Sequence, residues 1–179
     1  MSAQSEVAMP MVRALLAALR RQGIDSEGFL RDLEIDASAL GDTCYRVSLP
    51  LYDRLQESAV AALQDPALGL HMGEQTLPVT LGVMGHLLLG APTVAQGIDV
   101  FLRYQRLLNN AEPSSLHVAG GRAVFTYRYP RSTPTCNRIR AEFGMVQIVR
   151  IGQTLLNGAL PSYPFEIAVG FEHPQPDYR

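Results

Sequence analysis

A histidine and a carboxylate on one helix face can begin a metal or general-base site, and this chain offers one such pair. His71 and Glu74 lie three residues apart in the run HMGE, a spacing that places both on the same side of a helix. A metal would need two further ligands. The other histidines, His86, His117 and His173, stand in no H-E-x-x-H or comparable pairing. The chain has no G-x-S-x-G, and no glycine-rich run follows a strand and opens a helix. No spacing ties a serine, a histidine and an acid together. The residues point to no catalytic centre, no metal and no cofactor.

They do support a small-molecule pocket of the usual kind, apolar with a few convergent polar groups. The candidates are His86 in MGHLLLG, Phe101, Tyr104 and Gln105 in FLRYQ, Tyr127 on the strand face of Phe125, and Phe143 and Gln147 in EFGMVQ. Gln105 shares a helical face with Ile98, Phe101 and Leu108, and a buried amide must find partners in the protein or in a ligand. Each candidate also has a purely structural reading. His86 fits a partly buried histidine satisfied by the protein. Tyr104 and Tyr127 fit core residues with a hydroxyl tip at the edge. Arg103 and Arg106 fit ion pairs with Asp99, Glu112 or Glu142. An Arg103–Glu142 bridge would tie two long helices together, although such pairs contribute only about 0–1 kcal/mol when exposed.

The segment that must position most of these side chains is residues 81–110, which reads as two helices joined by a turn. The first covers about 82–89 and ends at Gly90. Ala91 and Pro92 interrupt it, and Thr93 is placed to cap the second helix, 94–108. Val94, Ile98, Phe101, Leu102 and Leu108 should form its buried face. Earlier in the chain, 7–22 reads as an amphipathic helix through Val12, Leu15, Leu16 and Leu19, stopped by Gly23. Short helical pieces follow, capped by Asp25 (with Phe29, Leu30 and Leu33 inward) and by Asp36. Residues 47–63 predict a helix capped by Ser48, with Leu51, Leu55, Ala59, Ala62 and Leu63 inward, and 67–74 a short one. The period then changes to two over 114–129, a hairpin turning at Gly120-Gly121. Residues 136–157 predict a long helix with Ile139, Phe143, Val146, Val149 and Leu156 on one face and Gly158 as its cap. Residues 165–171 predict a strand. The fold class is α+β: N-terminal helices, a central helical pair, and a small antiparallel sheet packed on a long helix.

The chain has 179 residues, enough for one domain with a proper core. With 47% apolar and 18% charged residues it is neither disordered nor membrane-spanning. No apolar run reaches the roughly 20 residues needed to cross a bilayer. Residues 1–10 lack a basic region and contain Glu6, so they do not read as a secretory signal, and the protein is expected in the cytoplasm. Two distant cysteines, Cys44 and Cys136, are then expected to be reduced and structural. Every basic residue is arginine, and the charge is uneven: residues 1–112 carry −5, residues 113–165 carry +5. An acidic chain overall is a poor nonspecific binder of DNA. The arginine-rich middle reads either as an attractor of anionic ligands or as a solvated face.

The run LG-x-x-G, an apolar turn, PT and then LRYQRLL resembles the N-terminal sensor domain of a subfamily of AraC/XylS-type transcription regulators, often called arabinose-binding-like. PALGLHMGE at 66–74, RAEFGMVQIVRIGQTLLNG at 140–158 and VGFEHPQP at 169–176 carry the same resemblance, which spans about 11–176. These are packing patterns, and it is their order and spacing that match. The resemblance implies a sensor of a small organic effector that is also homodimeric. It would reach DNA only through a C-terminal helix-turn-helix domain that is missing here, so 1–179 reads as a single sensor domain cut before its last strands. Such a domain works by population shift, the effector favouring one packing of the helices. Two rivals stay open: a dimerisation module without effector, and an enzyme of small-molecule metabolism. The sensor reading requires a hollow between helices and sheet, opening near Phe101 and Gln105.

Overall fold

Val12, Leu15, Leu16 and Leu19 fall on one helical face, and all four are completely buried. Each contributes about 1.5–3 kcal/mol of apolar burial, which makes their helix the floor of the core. It is helix α1 (Met9–Arg21) of a computed structural model that describes residues 5–32, 35–42, 44–110 and 113–156. Strand β1 (Glu6–Ala8) precedes it. Helix α2 (Ser26–Asp32) and a 3-10 turn (Ala37–Gly41) follow, and then come β2 (Arg46–Ser48), α3 (Leu49–Leu63) and α4 (Leu68–Gln75). A second 3-10 turn (Pro78–Leu81) leads to α5 (Val83–Leu89) and α6 (Val94–Tyr104). The hairpin β3 (Ser115–Ala119) and β4 (Arg122–Thr126) and the long helix α7 (Pro134–Leu155) complete the described chain. The fold is mixed α+β and mostly helical, with two antiparallel sheets of two strands each among the described residues. No helix among them is long and apolar enough to cross a membrane.

The local signals work as their chemistry requires. Thr93 caps α6 by accepting from the Gln96 N–H, and Asp36 accepts from the Ser38 N–H. The Asp25 carboxylate accepts from the Glu27 N–H at 3.0 Å. Its pKa is lowered, first by the Gly28 backbone N–H. Gly120 and Gly121 both take positive φ at the hairpin turn, where Leu116 faces Phe125 and Val118 faces Ala123.

The contact that holds the fold together is the crossing of α4 on α7. Gly69 and Gly73, one turn apart on α4, bring the two backbones close. A Cβ on Gly69 would lie 2.5 Å from the Ile139 carbonyl oxygen, and one on Gly73 would lie 2.5 Å from Val146 Cβ. The Gln147 amide donates to the carbonyls of Gly73 (2.8 Å) and Thr76 (3.0 Å), fastening the C-terminal end of α4 to α7.

Several expectations need correction. Residues 7–8 and 47–48 are strand rather than helix. Val7 pairs with Val47, and the other edge of β1 is tied to the chain after α6 through Ala8 N–H to the Leu108 carbonyl at 2.8 Å. That pairing takes up backbone groups a first helical turn would leave unsatisfied. Ser48 stands at the start of α3 but its hydroxyl makes no capping bond, while the Leu49 N–H is satisfied by the Ser5 carbonyl. The buried stripe of α3 is Tyr52, Leu55, Gln56 and Ala59. Leu51 is only half-buried and Ala62 is exposed, because α1 and α7 together set which side of α3 is covered.

Helix α6 ends four residues early, its last turn tightening to 3-10 over Gln105–Leu107. Val94, Ile98, Phe101 and Leu102 are half-buried rather than buried, since α5 is the helix's principal packing partner among the described residues, while Leu108, just beyond the helix, is buried as expected. Helix α7 starts at Pro134, with Thr133 as its cap accepting from the Cys136 N–H, and proline suits that position because its missing N–H would be unpaired anyway. Cys136 is buried and free, whereas Cys44 is exposed and has no place in the core. Leu33, Gly158 and the strand expected at 165–171 lie outside the described residues.

A candidate ligand cleft

Tyr52 and Gln56 are one turn apart on α3 and face the core together. The Gln56 side chain is fully buried, and neither its Oε1 nor its Nε2 has a hydrogen-bond partner among the described residues. From α7, Arg140 reaches the same region. Its guanidinium stands 5.3 Å over the Tyr52 ring, donates to the Pro130 carbonyl (2.9 Å) and the Ser132 hydroxyl (3.0 Å), and forms an ion pair with Asp53. The Ser132 hydroxyl in turn donates to Asp53 Oδ1 at 3.0 Å, so the pair is closed on itself. Burial pushes the Tyr52 phenol well above its ordinary range.

Tyr52, Gln56 and Arg140 line a cleft of about 370 Å³, open mouth included, whose apolar wall is Val7, Met11, Met72, Ile139 and Phe143. Tyr127, Tyr129, Pro130 and Asn109 close it from the segment after β4 and the chain after α6. The interior is tight, with free space on the order of one water molecule. Tyr127 packs close to α7 because Gly144 has no Cβ to meet its ring. The same ring touches Phe101 (centroids 6.1 Å apart) and Tyr129 (6.0 Å).

Burial of the Tyr127 phenol, with Tyr129 adding to it, raises its pKa to about 12. The folded value lies above the unfolded value of about 10. Stabilisation from the neutral phenol is therefore complete below pH about 10 and is lost as pH rises from there through about 12. Tyr52 and Tyr127 should form phenolate only as the chain unfolds in that window. A phenolate absorbance titration beside circular dichroism checks this, and full reversible ionisation near pH 10 with the fold intact would contradict it.

The structure brings three of the seven expected pocket residues together. Tyr127 and Phe143 line the cleft, and Phe101 stands behind Tyr127 with an edge-on contact to Phe125 at 5.7 Å. The cleft is lined by neither Phe101 nor Gln105, where the sequence placed its opening, and Gln105 and the other three lie elsewhere. His86 is exposed on α5, its Nδ1 3.0 Å from the Gly82 carbonyl oxygen, and Tyr104 is exposed at the end of α6. Gln105 donates to the Leu102 carbonyl and accepts from the Ser114 N–H at 2.6 Å, joining α6 to the hairpin. Gln147 serves the α4–α7 crossing. Glu142 is buried against α4 and pairs with Arg138 on its own helix at 3.3 Å. Arg103 lies exposed on α6, so the bridge formed is within α7 and not between Arg103 and Glu142.

His71 pairs with Asp65 at 2.6 Å, and among the described residues no three metal-binding side chains cluster. The arginines of α7 hold backbone carbonyls: Arg138 that of Pro66, Arg140 that of Pro130, Arg150 that of Glu74.

Comparison with known proteins decides what kind of domain carries this cleft. The sequence pattern of the arabinose-binding domain of AraC transcription regulators, an N-terminal domain, matches residues 23–179. The chain belongs to that family. A domain of this family is the effector-binding part of a regulator and not an enzyme. The chain is also 25% identical over 170 residues to the ornithine utilization regulator of Pseudomonas aeruginosa. The match covers 95% of this chain and 49% of that protein, so the chain spans about half the length of this curated relative.

Gln56, Asp53, Arg140 and Tyr52 are the residues of this sensor domain that sequence reasoning missed. One signal was available. Gln56 interrupts the apolar series Tyr52, Leu55, Ala59 at helical spacing, as Gln105 interrupts its own.

Proposed function

We propose that the chain senses a small organic molecule in the cleft between α1, α3, α4 and α7 and the Tyr127–Tyr129 segment, and passes the result to an attached DNA-binding domain in a homodimeric cytoplasmic regulator. The observation that supports this most is the cleft itself. Its walls are apolar and aromatic, and its polar groups converge from α3 and α7. The resting space is too tight for a ligand, so binding must open it. The wall most easily moved is the Tyr127–Tyr129 segment, which follows a hairpin whose residues are largely exposed. A guest that fits only the opened cleft shifts the population towards that packing. The relative named for ornithine utilization makes amino-acid derivatives, their uncharged amides and lactams included, a first class to try.

The test is a metabolite screen by thermal shift. An effector should raise the melting temperature by mass action, by about 2.7 kcal/mol of stabilisation at a hundredfold excess over Kd. Tyr129→Ala, which removes one wall at little cost to the fold, should weaken its binding about tenfold, an interaction of roughly 1.4 kcal/mol. A dimer that no metabolite stabilises would favour a pairing module instead.

A further inference from the structure

The sensor reading leaves the chemistry of the guest open, and the lining of the cleft restricts it. Gln56 presents a donor nitrogen and an acceptor oxygen side by side whichever way its amide is turned. Both are buried without a partner among the described residues. An unpaired buried polar group costs about 1–3 kcal/mol, and a ligand that pairs with it recovers that cost. Around it the wall is apolar at Met11, Met72, Ile139 and Phe143. The one guanidinium in the lining, that of Arg140, is already neutralised by Asp53.

We propose that Gln56 is the polar recognition group of the cleft and that the guest carries an uncharged donor and acceptor side by side, a carboxamide or lactam, on an apolar body. This rests on the sensor reading. The alternatives fail on hydrogen bonding. A carboxylate only accepts, so it would satisfy Nε2 and oppose Oε1. An ammonium only donates, so it would do the reverse. Either would also bring an unpaired charge into a wall with no free counter-charge. A carboxamide meets both atoms of Gln56 at once, as two amides pair in a cyclic dimer, and its hydrocarbon body fills the apolar side.

Three probes with one body and three heads test this: hexanamide, hexanoate and hexylamine, titrated into the chain and followed by heteronuclear NMR. Hexanamide should bind about tenfold more tightly than the other two, with shifts at Gln56, Phe143 and Tyr129. Gln56→Met should erase that preference while leaving the melting temperature equal or higher, because it removes an unpaired amide. Gln56→Glu, a second variant, should turn the preference towards hexylamine. Equal or tighter binding of hexanoate or hexylamine by the natural chain overturns the inference, as does an amide preference that survives Gln56→Met. A Gln56→Met chain that melts far lower or does not fold overturns it too, since the amide would then be serving the fold. In those cases the sensor reading stands if the metabolite screen finds a ligand sensitive to Tyr129→Ala. Failure of all three probes together with an empty screen overturns both.

Discussion

Gly69→Ala should destabilise the protein by about 2 kcal/mol, whereas Gly152→Ala should stabilise it by about 0.5–1 kcal/mol. Both glycines sit inside helices, and alanine is the better helix former by up to about 1 kcal/mol. The difference lies in what the new methyl group meets. At Gly69 it would stand 2.5 Å from the Ile139 carbonyl oxygen and 2.7 Å from Glu142 Cβ. Part of that neighbour is backbone and cannot turn aside, so α4 must lift from α7. At Gly152 nothing lies within 4 Å. For a chain of this length the pair should separate by roughly 5–12 °C in melting temperature. Equal effects of one sign would mean that the α4–α7 crossing is looser than described. Because α4 and α7 both contribute to the cleft, through Met72, Ile139, Arg140 and Phe143, Gly69→Ala should also weaken any ligand the cleft takes.

Asp53→Ala should cost about 3 kcal/mol, read as a lower midpoint in chemical denaturation at neutral pH with an unchanged slope. The reason is the charge left behind. Arg140 keeps the Pro130 carbonyl and the Ser132 hydroxyl but loses the one carboxylate it pairs with among the described residues, and its side chain is 6% exposed. An unpaired guanidinium at that depth is expensive, while the pair as a whole is worth little more than an apolar replacement. The double variant Asp53→Leu with Arg140→Met should therefore recover most of the loss. If the single and double variants lose equally, the ion pair contributes through its own attraction and not through the cost of breaking it. The single variant also places a free positive charge in the lining, so hexanoate should gain on hexanamide there.

The chain's periodicities and caps determined much of this fold without help from the tertiary structure. Thr93, Asp25 and Asp36 act within two or three residues of themselves, the Gly120-Gly121 turn needs only its own backbone freedom, and the Leu15–Leu16–Leu19 face follows from one helix. Strands of three residues were not legible in this way. Val7 and Val47 are paired across forty residues, and three residues show no period of their own. The cleft was legible in part. Tyr127 and Phe143 sit on faces already marked by aromatic and apolar neighbours. Gln105 and Gln56 look alike as amides in apolar stripes, yet one is spent on the Leu102 carbonyl and the Ser114 N–H while the other has no hydrogen-bond partner among the described residues. Which arginine meets Glu142, and whether Arg140 is free or held by Asp53, depend on where α3, α4 and α7 cross. A helix's face is a local property of its sequence, but the partner that covers that face is set by packing between segments distant in the chain. Only the tertiary structure decides that.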